Sequence, residues 1–187
     1  MTRLRVFADD DANRMRVDSD NFDIIQQQLN AAGVRFTRWK TDAGVVAGDA
    51  PERVIEAYKG DINRLMAEGG YAAVDVVSLN ATHPDKAALR QKFLNEHIHA
   101  EDEIRFFVAG QGLFSLHLKD EVFEVLCQRD DLIGVPAGTP HWFDMGPEPS
   151  FVAIRIFTNP AGWVANFTGS DIAERFPRLD AIQSVDA

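Results

Sequence analysis

The sequence predicts a mainly β protein, an antiparallel barrel or sandwich preceded by a mixed α/β portion. Two observations carry this. From about residue 95 to 158 the chain is a succession of short β runs, EIRFFVAG, GLFSLHL, EVFEVLCQ, DLIGVPAG, HWFDM and FVAIRIFT. Turn signals separate them at Gly110–Gly112, Lys119–Glu121, Pro136–Pro140 and Gly146–Pro149, and short, evenly spaced strands without helices between them suggest antiparallel pairing. Before residue 95, strand and helix signals alternate instead.

Taken in order, LRVFA (Leu4 to Ala8) reads as a short strand. In SDNFDIIQQQLNAAG, Ser19 or Asp20 is placed to cap a helix whose apolar stripe is Phe22, Ile25 and Leu29, and Gly33 is placed to stop it. VRFTRWK alternates as a strand does. APERVIEAYKGDINRLMAEGG reads as one helix, with Pro51 near the first turn and Val54, Ile55, Tyr58, Ile62, Leu65 and Met66 recurring at three and four. Gly60 weakens that helix and Gly69–Gly70 ends it. YAAVDVVSLN is a further strand, HPDKAALRQKFL a short helix led by Pro84, and DIAERFPRLD a short helix or irregular cover. No repeat or clean linker divides the chain. A single domain over 1–187 is expected, with a mixed α/β portion at 1–94, a barrel core at 95–158 and a C-terminal cover at 159–187.

Composition narrows the partners. Hydrophobic residues make up 45% and charged residues 26%, as in ordinary globular chains. With 29 acids against 19 bases the net charge is −10, which repels phosphate backbones and anionic lipid. No Lys/Arg cluster offsets this, so neither nucleic acid nor membrane is expected as a partner. Cys127 is the only cysteine and suits a reducing compartment. The start has no apolar signal segment, and no run approaches the ~18 apolar residues of a membrane span. A cytoplasmic location is expected, and with no exposed hydrophobic stripe apparent, a monomer.

The chemistry concentrates in HIHAEDEIRFF, His97 to Phe107. On a strand, His97 and His99 face the same side. Their nitrogens suit Fe, Ni, Zn or Cu, and Glu103, after a short polar link, adds a harder anionic ligand. Alone, such a pair is a weak signal, because a solvated strand end reads the same way. VPAGTPHWFD (Val135 to Asp144) strengthens it by placing His141 between a rigid turn and an apolar strand. Three neutral nitrogens and one carboxylate leave two open cis positions on an octahedral ion, room for a bidentate substrate. A structural metal is more often fully enclosed.

HIHAEDE, Gly110 seven residues after Glu103, and PAGTPH together resemble the two metal-binding motifs of the cupin superfamily. The resemblance implies a cupin antiparallel β-barrel (jelly-roll) with an α/β N-terminal elaboration. Gln91 and Asp130 stand where the two motifs usually open with glycine, and Met145 where the second often ends in asparagine. Within the cupins, HIHAEDEIRFFVAGQGLFSLH and VPAGTPHWFDMGPEPSFVAIRIFTNPAGW closely resemble the acireductone dioxygenase family of methionine salvage. The resemblance implies that His97, His99, Glu103 and His141 bind one Fe2+ or Ni2+ per chain. It further implies that the chain cleaves the acireductone 1,2-dihydroxy-3-keto-5-methylthiopentene with O2. The iron form of the family gives formate and 4-methylthio-2-oxobutanoate, the 2-keto acid precursor of methionine. The nickel form gives formate, carbon monoxide and 3-methylthiopropanoate.

Arg105, two residues after Glu103 in an otherwise apolar strand, is expected to point into the same cavity. A buried arginine needs an anionic partner, which a substrate enolate would supply, and the resemblance assigns it that kind of catalytic role. Phe93 and Phe143 are candidate apolar walls for a thioether tail. Arg155, another charge in an apolar strand, is a candidate support for the substrate site. Phe107 reads as core, His117 as an ordinary strand histidine, and Cys127 as buried and inert, and His83 is given no role. Two rival functions differ in what they require. A metal-dependent cupin isomerase of a sugar or sugar phosphate would line its cavity with more polar and basic groups and consume no oxygen. A non-catalytic binding or storage cupin can dispense with the metal ligands, all four of which are present.

Overall fold

The structure, a computed structural model, describes residues 1–41, 43–159 and 164–183. The last four residues of FVAIRIFTNPAGW and of the expected C-terminal cover lie outside the described residues. The first half comprises β1 (Arg3–Ala8), β2 (Asp11–Ser19), α1 (Phe22–Ala31), β3 (Arg35–Arg38), α2 (Pro51–Ala57), α3 (Lys59–Gly69), β4 (Ala73–Leu79) and α4 (Lys86–Leu94). The second comprises β5 (His97–Ile98), β6 (Glu103–Leu118), β7 (Glu121–Gln128), β8 (Asp131–Val135), β9 (His141–Asp144), β10 (Phe151–Phe157), β11 (Asn166–Phe167), α5 (Ile172–Arg175) and α6 (Leu179–Gln183).

The expected mainly β, antiparallel architecture is present. One layer runs β2–β1–β7–β6–β9–β5–β11 and the other β4–β10–β6–β8–β3, with every pairing antiparallel. Strand β6 belongs to both. Residues 103–110 pair with β8 and β10, and residues 111–118 with β7 and β9. The crossing falls at Gly110, whose φ of +66 lets the strand turn a corner without ending. A Cβ there would sit 1.8 Å from the Ser150 carbonyl oxygen, so only glycine fits. The apparent turn at Gly110–Gly112 is thus a bend, and EIRFFVAG and GLFSLHL form one strand.

Between the layers lies a core of Leu4, Val6, Phe36, Phe107, Phe114, Leu116, Val125, Ile133, Phe151 and their neighbours. Helices α2 and α3 cover the outside of the second layer through Val54, Tyr58, Ile62 and Leu65. They are two helices rather than the one expected. Tyr58 leaves helical geometry at φ −109 and ψ 19 and packs its ring edge-on against Phe106, 5.9 Å between centroids. Gly60 just beyond makes the break cheap. The cap of α1 is Asn21, not Ser19 or Asp20; its side chain accepts from the Asp23 and Ile24 amides. Strand β2 was not expected. It is an exposed edge strand, DANRMRVDS, whose charges read as loop and which protect the sheet margin. Asp130, standing where the motif usually has glycine, takes φ +80 in the turn between β7 and β8, so the turn keeps the backbone a glycine would give it.

Candidate metal centre

Pairing brings the two motifs together. His97 on β5 lies directly opposite His141 on β9, and His141 lies opposite Leu116 of β6. His99 leaves β5 toward the 136–140 turn, where its carbonyl accepts from the Gly138 amide at 2.9 Å. The Asp102 carboxylate accepts from the Ala137 amide at 2.7 Å and ties the same two segments again. Glu103 opens β6 between Val135 of β8 and Phe157 of β10.

The three histidines form a metal-binding site. Their candidate ligand nitrogens lie within 4.8 Å of one another, and all three side chains are buried. Each Nδ1 donates to a backbone carbonyl: His97 to Asn95 at 2.8 Å, His99 to Val164 at 3.0 Å, His141 to Thr139 at 2.8 Å. A carbonyl only accepts, so the proton is on Nδ1 and every Nε2 offers a lone pair. Burial favours the neutral ring and brings His97 down to about 4 and His141 to about 3; it lowers His99 as well. The ligand nitrogens therefore need lose no proton at neutral pH.

Glu103 stands beside two of the three histidines. Its Oε2 stands 3.4 Å from His99 Nε2 and 3.8 Å from His141 Nε2. These three atoms are buried with no hydrogen-bond partner among the described residues. Acceptors turned toward one another in a dry site repel unless a cation stands between them, so the donor set fits a metal ion. Oε1 is used differently: it accepts Arg105 Nε at 3.1 Å and Nη2 at 2.6 Å. Burial alone would favour the neutral acid, but Arg105 and the other surrounding groups outweigh it and hold the carboxyl at about 2.

The histidines face a cavity of about 720 Å³ whose lining includes His97, His99, Arg105, Phe93, Phe143 and Arg155. Arg105 lies over the rings of Phe114 and Phe143, at 4.7 and 5.0 Å. Phe93 meets Phe143 edge-on at 6.3 Å. Arg155 reaches the cavity from β10, and its Nε donates to Asp75 at 2.7 Å. Phe107 is in the core and Cys127 is buried, with burial pushing its thiol up. His83, given no role from the sequence, also lines the cavity. His117 stands apart from the metal group, between Glu96 at 3.0 Å and Asp9 at 3.2 Å.

Sequence reasoning missed two features of this site. The carbonyls of Asn95, Thr139 and Val164 leave no mark in side-chain letters. Asp75 did leave one, an acid in the otherwise apolar run YAAVDVVSLN.

The chain resembles known proteins over most of its length. A family model described as the ARD/ARD' family matches residues 3–165. Acireductone dioxygenase of Cronobacter sakazakii is 58% identical over 179 residues, 96% of this chain and 99% of that protein. The Klebsiella oxytoca enzyme of the same name is 59% identical over an equal span. Among solved structures, acireductone dioxygenase from Bacillus anthracis, with a cadmium ion in its active centre, superposes with a TM-score of 0.76 at 28% identity, covering 89% of this chain and 98% of its own. Since the family match runs from the first strand past both histidine motifs to the segment that holds His99, the chain belongs to the ARD/ARD' family.

Proposed function

We propose that this chain is a metal-dependent dioxygenase that cleaves the acireductone 1,2-dihydroxy-3-keto-5-methylthiopentene with O2. His97, His99, Glu103 and His141 hold one Fe2+ or Ni2+. One observation carries the reading: buried, unpartnered lone pairs on two imidazoles and a carboxylate converge beside His97, at a cavity that also receives Arg105. When bound, the ion supplies a template for the enediol oxygens and a Lewis acid that draws off their charge.

The protein's own groups do the rest. Arg105 commits Nε and Nη2 to Glu103, which fixes its plane, and its charge stabilises anionic oxygens in a site of low dielectric. Phe93 and Phe143 give the thioether tail an apolar wall and keep water from the reacting end. Arg155, opposite Arg105 in the pairing of β10 with β6, contributes a second cation to the cavity wall. The lone cysteine, buried and unpaired, suits the cytoplasm. Among the described residues no helix is long and apolar enough to cross a membrane.

The test is metal analysis of the purified protein followed by oxygen uptake and product identification with synthetic acireductone. Iron loading should give formate and 4-methylthio-2-oxobutanoate; nickel loading should give 3-methylthiopropanoate, formate and CO. No oxygen uptake by either form would overturn the proposal, and isomerisation of a sugar without oxygen would favour the isomerase reading.

A further inference from the structure

We propose that Asp75 is a positioning residue for substrate binding, holding Arg155 apart from Arg105 so that two separated guanidiniums meet an anionic enediolate. The proposal rests on reading the cavity as the acireductone site. Asp75, Arg155 and Arg105 are direct register partners across β4, β10 and β6. Opposed residues on neighbouring strands have Cβ atoms only about 5 Å apart, and like charges so placed repel. Here two guanidiniums oppose each other, with side chains only 8% and 16% exposed.

Two carboxylates resolve that conflict by pulling in opposite directions. Glu103 draws Arg105 toward the histidines through Nε and Nη2. Asp75 takes Arg155 by the same two nitrogens, Nε at 2.7 Å and Nη2 in a second bond, and draws it toward β4. Among the described residues, neither arginine commits its Nη1 to an acceptor. Each guanidinium is thus clamped along one edge and open along the other, and both line the cavity. Without the Asp75 charge, Arg155 loses its clamp and has Glu103, already within its electrostatic reach, as the competing carboxylate. The spacing of the two cations would collapse, and with it the match to separated anionic oxygens. A merely stabilising ion pair would not need to lie in the cavity wall, yet Asp75 does.

The experiment uses metal-loaded full-length protein and compares wild type, Asp75→Asn, Arg155→Gln and the double variant. Acireductone affinity is measured without oxygen by calorimetry, and KM and kcat in air, with metal content and thermal melting alongside. Loss of a charge-assisted clamp predicts a rise of roughly 10-fold or more in Kd and KM for Asp75→Asn, exceeding any fall in kcat. Because Asp75 acts through Arg155, Asp75→Asn should change neither constant further in the Arg155→Gln background. If Asp75→Asn lowers the melting temperature but leaves Kd and KM as in wild type, or if the two effects multiply, the proposal is overturned alone. A wild-type protein that binds no acireductone overturns the substrate reading and this proposal with it. Should Asp75→Asn fail to fold, Asp75→Ser, which keeps a small polar group on the strand, carries the same comparison.

Discussion

Replacing Glu103 by glutamine separates the two oxygens of one carboxylate. In the metal-free protein the variant leaves Arg105, 7% exposed, without its anionic partner. Removing one member of a buried pair costs about 3–5 kcal/mol. The new amide offsets part of this: its NH2 takes the place of Oε2, 3.4 Å from the His99 lone pair, and can donate there for about 1 kcal/mol. The net loss is about 2–4 kcal/mol, or a fall of roughly 4–16 °C in Tm for a domain of this size. Metal linkage adds a second signal. A wild-type protein at free metal about 1,000 times Kd gains about 4 kcal/mol from binding, and each tenfold loss of affinity removes about 1.4 kcal/mol of it. The neutral amide is a weaker ligand than the carboxylate, so most of that gain should vanish. Melting curves of chelator-stripped and metal-loaded protein, with metal content after desalting, read both effects. A Glu103→Gln protein that keeps one ion per chain and shows the wild-type rise in Tm on loading would refute the assignment of Oε2.

Acid should weaken the metal-free fold before it weakens most proteins. His97, His99 and His141 are held below their ordinary value of 6.5, so the unfolded chain binds more protons, and stability rises with pH between about 3 and 6.5 and is lost as pH falls through that window. Glu124, pushed up to about 7 chiefly by burial, opposes this, its contribution being lost as pH rises from 4.5 through 7, but it is one group against three. Urea midpoints of chelated protein that stay flat or fall from pH 5 to 6.5 would contradict the sign. Asp144→Asn should cost about 3 kcal/mol while leaving metal content intact, because the Asp144 carboxylate accepts Arg90 twice, at 2.7 and 3.0 Å, and the Leu179 and Gly146 amides, each at 2.9 Å; denaturant titration and metal analysis test the two halves. Gly110→Ala should abolish soluble protein or lower Tm by about 10 °C, since its Cβ would meet the Ser150 carbonyl oxygen at 1.8 Å; a wild-type melting curve would show that the corner can relax.

The β character of the chain and its four proposed metal ligands were legible because they rest on side-chain letters: alternation, turn residues, and histidines at strand spacing. What escaped rests on backbone or on tertiary context. A glycine in a corner and a glycine in a turn read alike, so β6 looked like two strands until its change of partners at Gly110 was visible. Strand β2 has no buried face, hence no period-two pattern to find. The break at Tyr58 serves the packing of its ring on Phe106, a residue 48 positions later. Arg155 was noticed as an isolated charge, whereas its counter-charge Asp75 lies 80 residues earlier and is joined to it only by strand pairing.

The Val164 carbonyl that orients His99 has a consequence for how the site is assembled. Residues 166–167 also zip onto the strand bearing His97, and the Thr168 amide donates to the Glu96 carbonyl at 3.1 Å. Two of the three imidazoles are therefore braced by residues 164–168, a stretch more than sixty positions further along the chain. A chain that has paired its barrel strands but not yet docked this stretch still lacks the carbonyl that orients His99. Undocking of residues 164–168 would thereby unsettle the histidines while the barrel itself stayed paired.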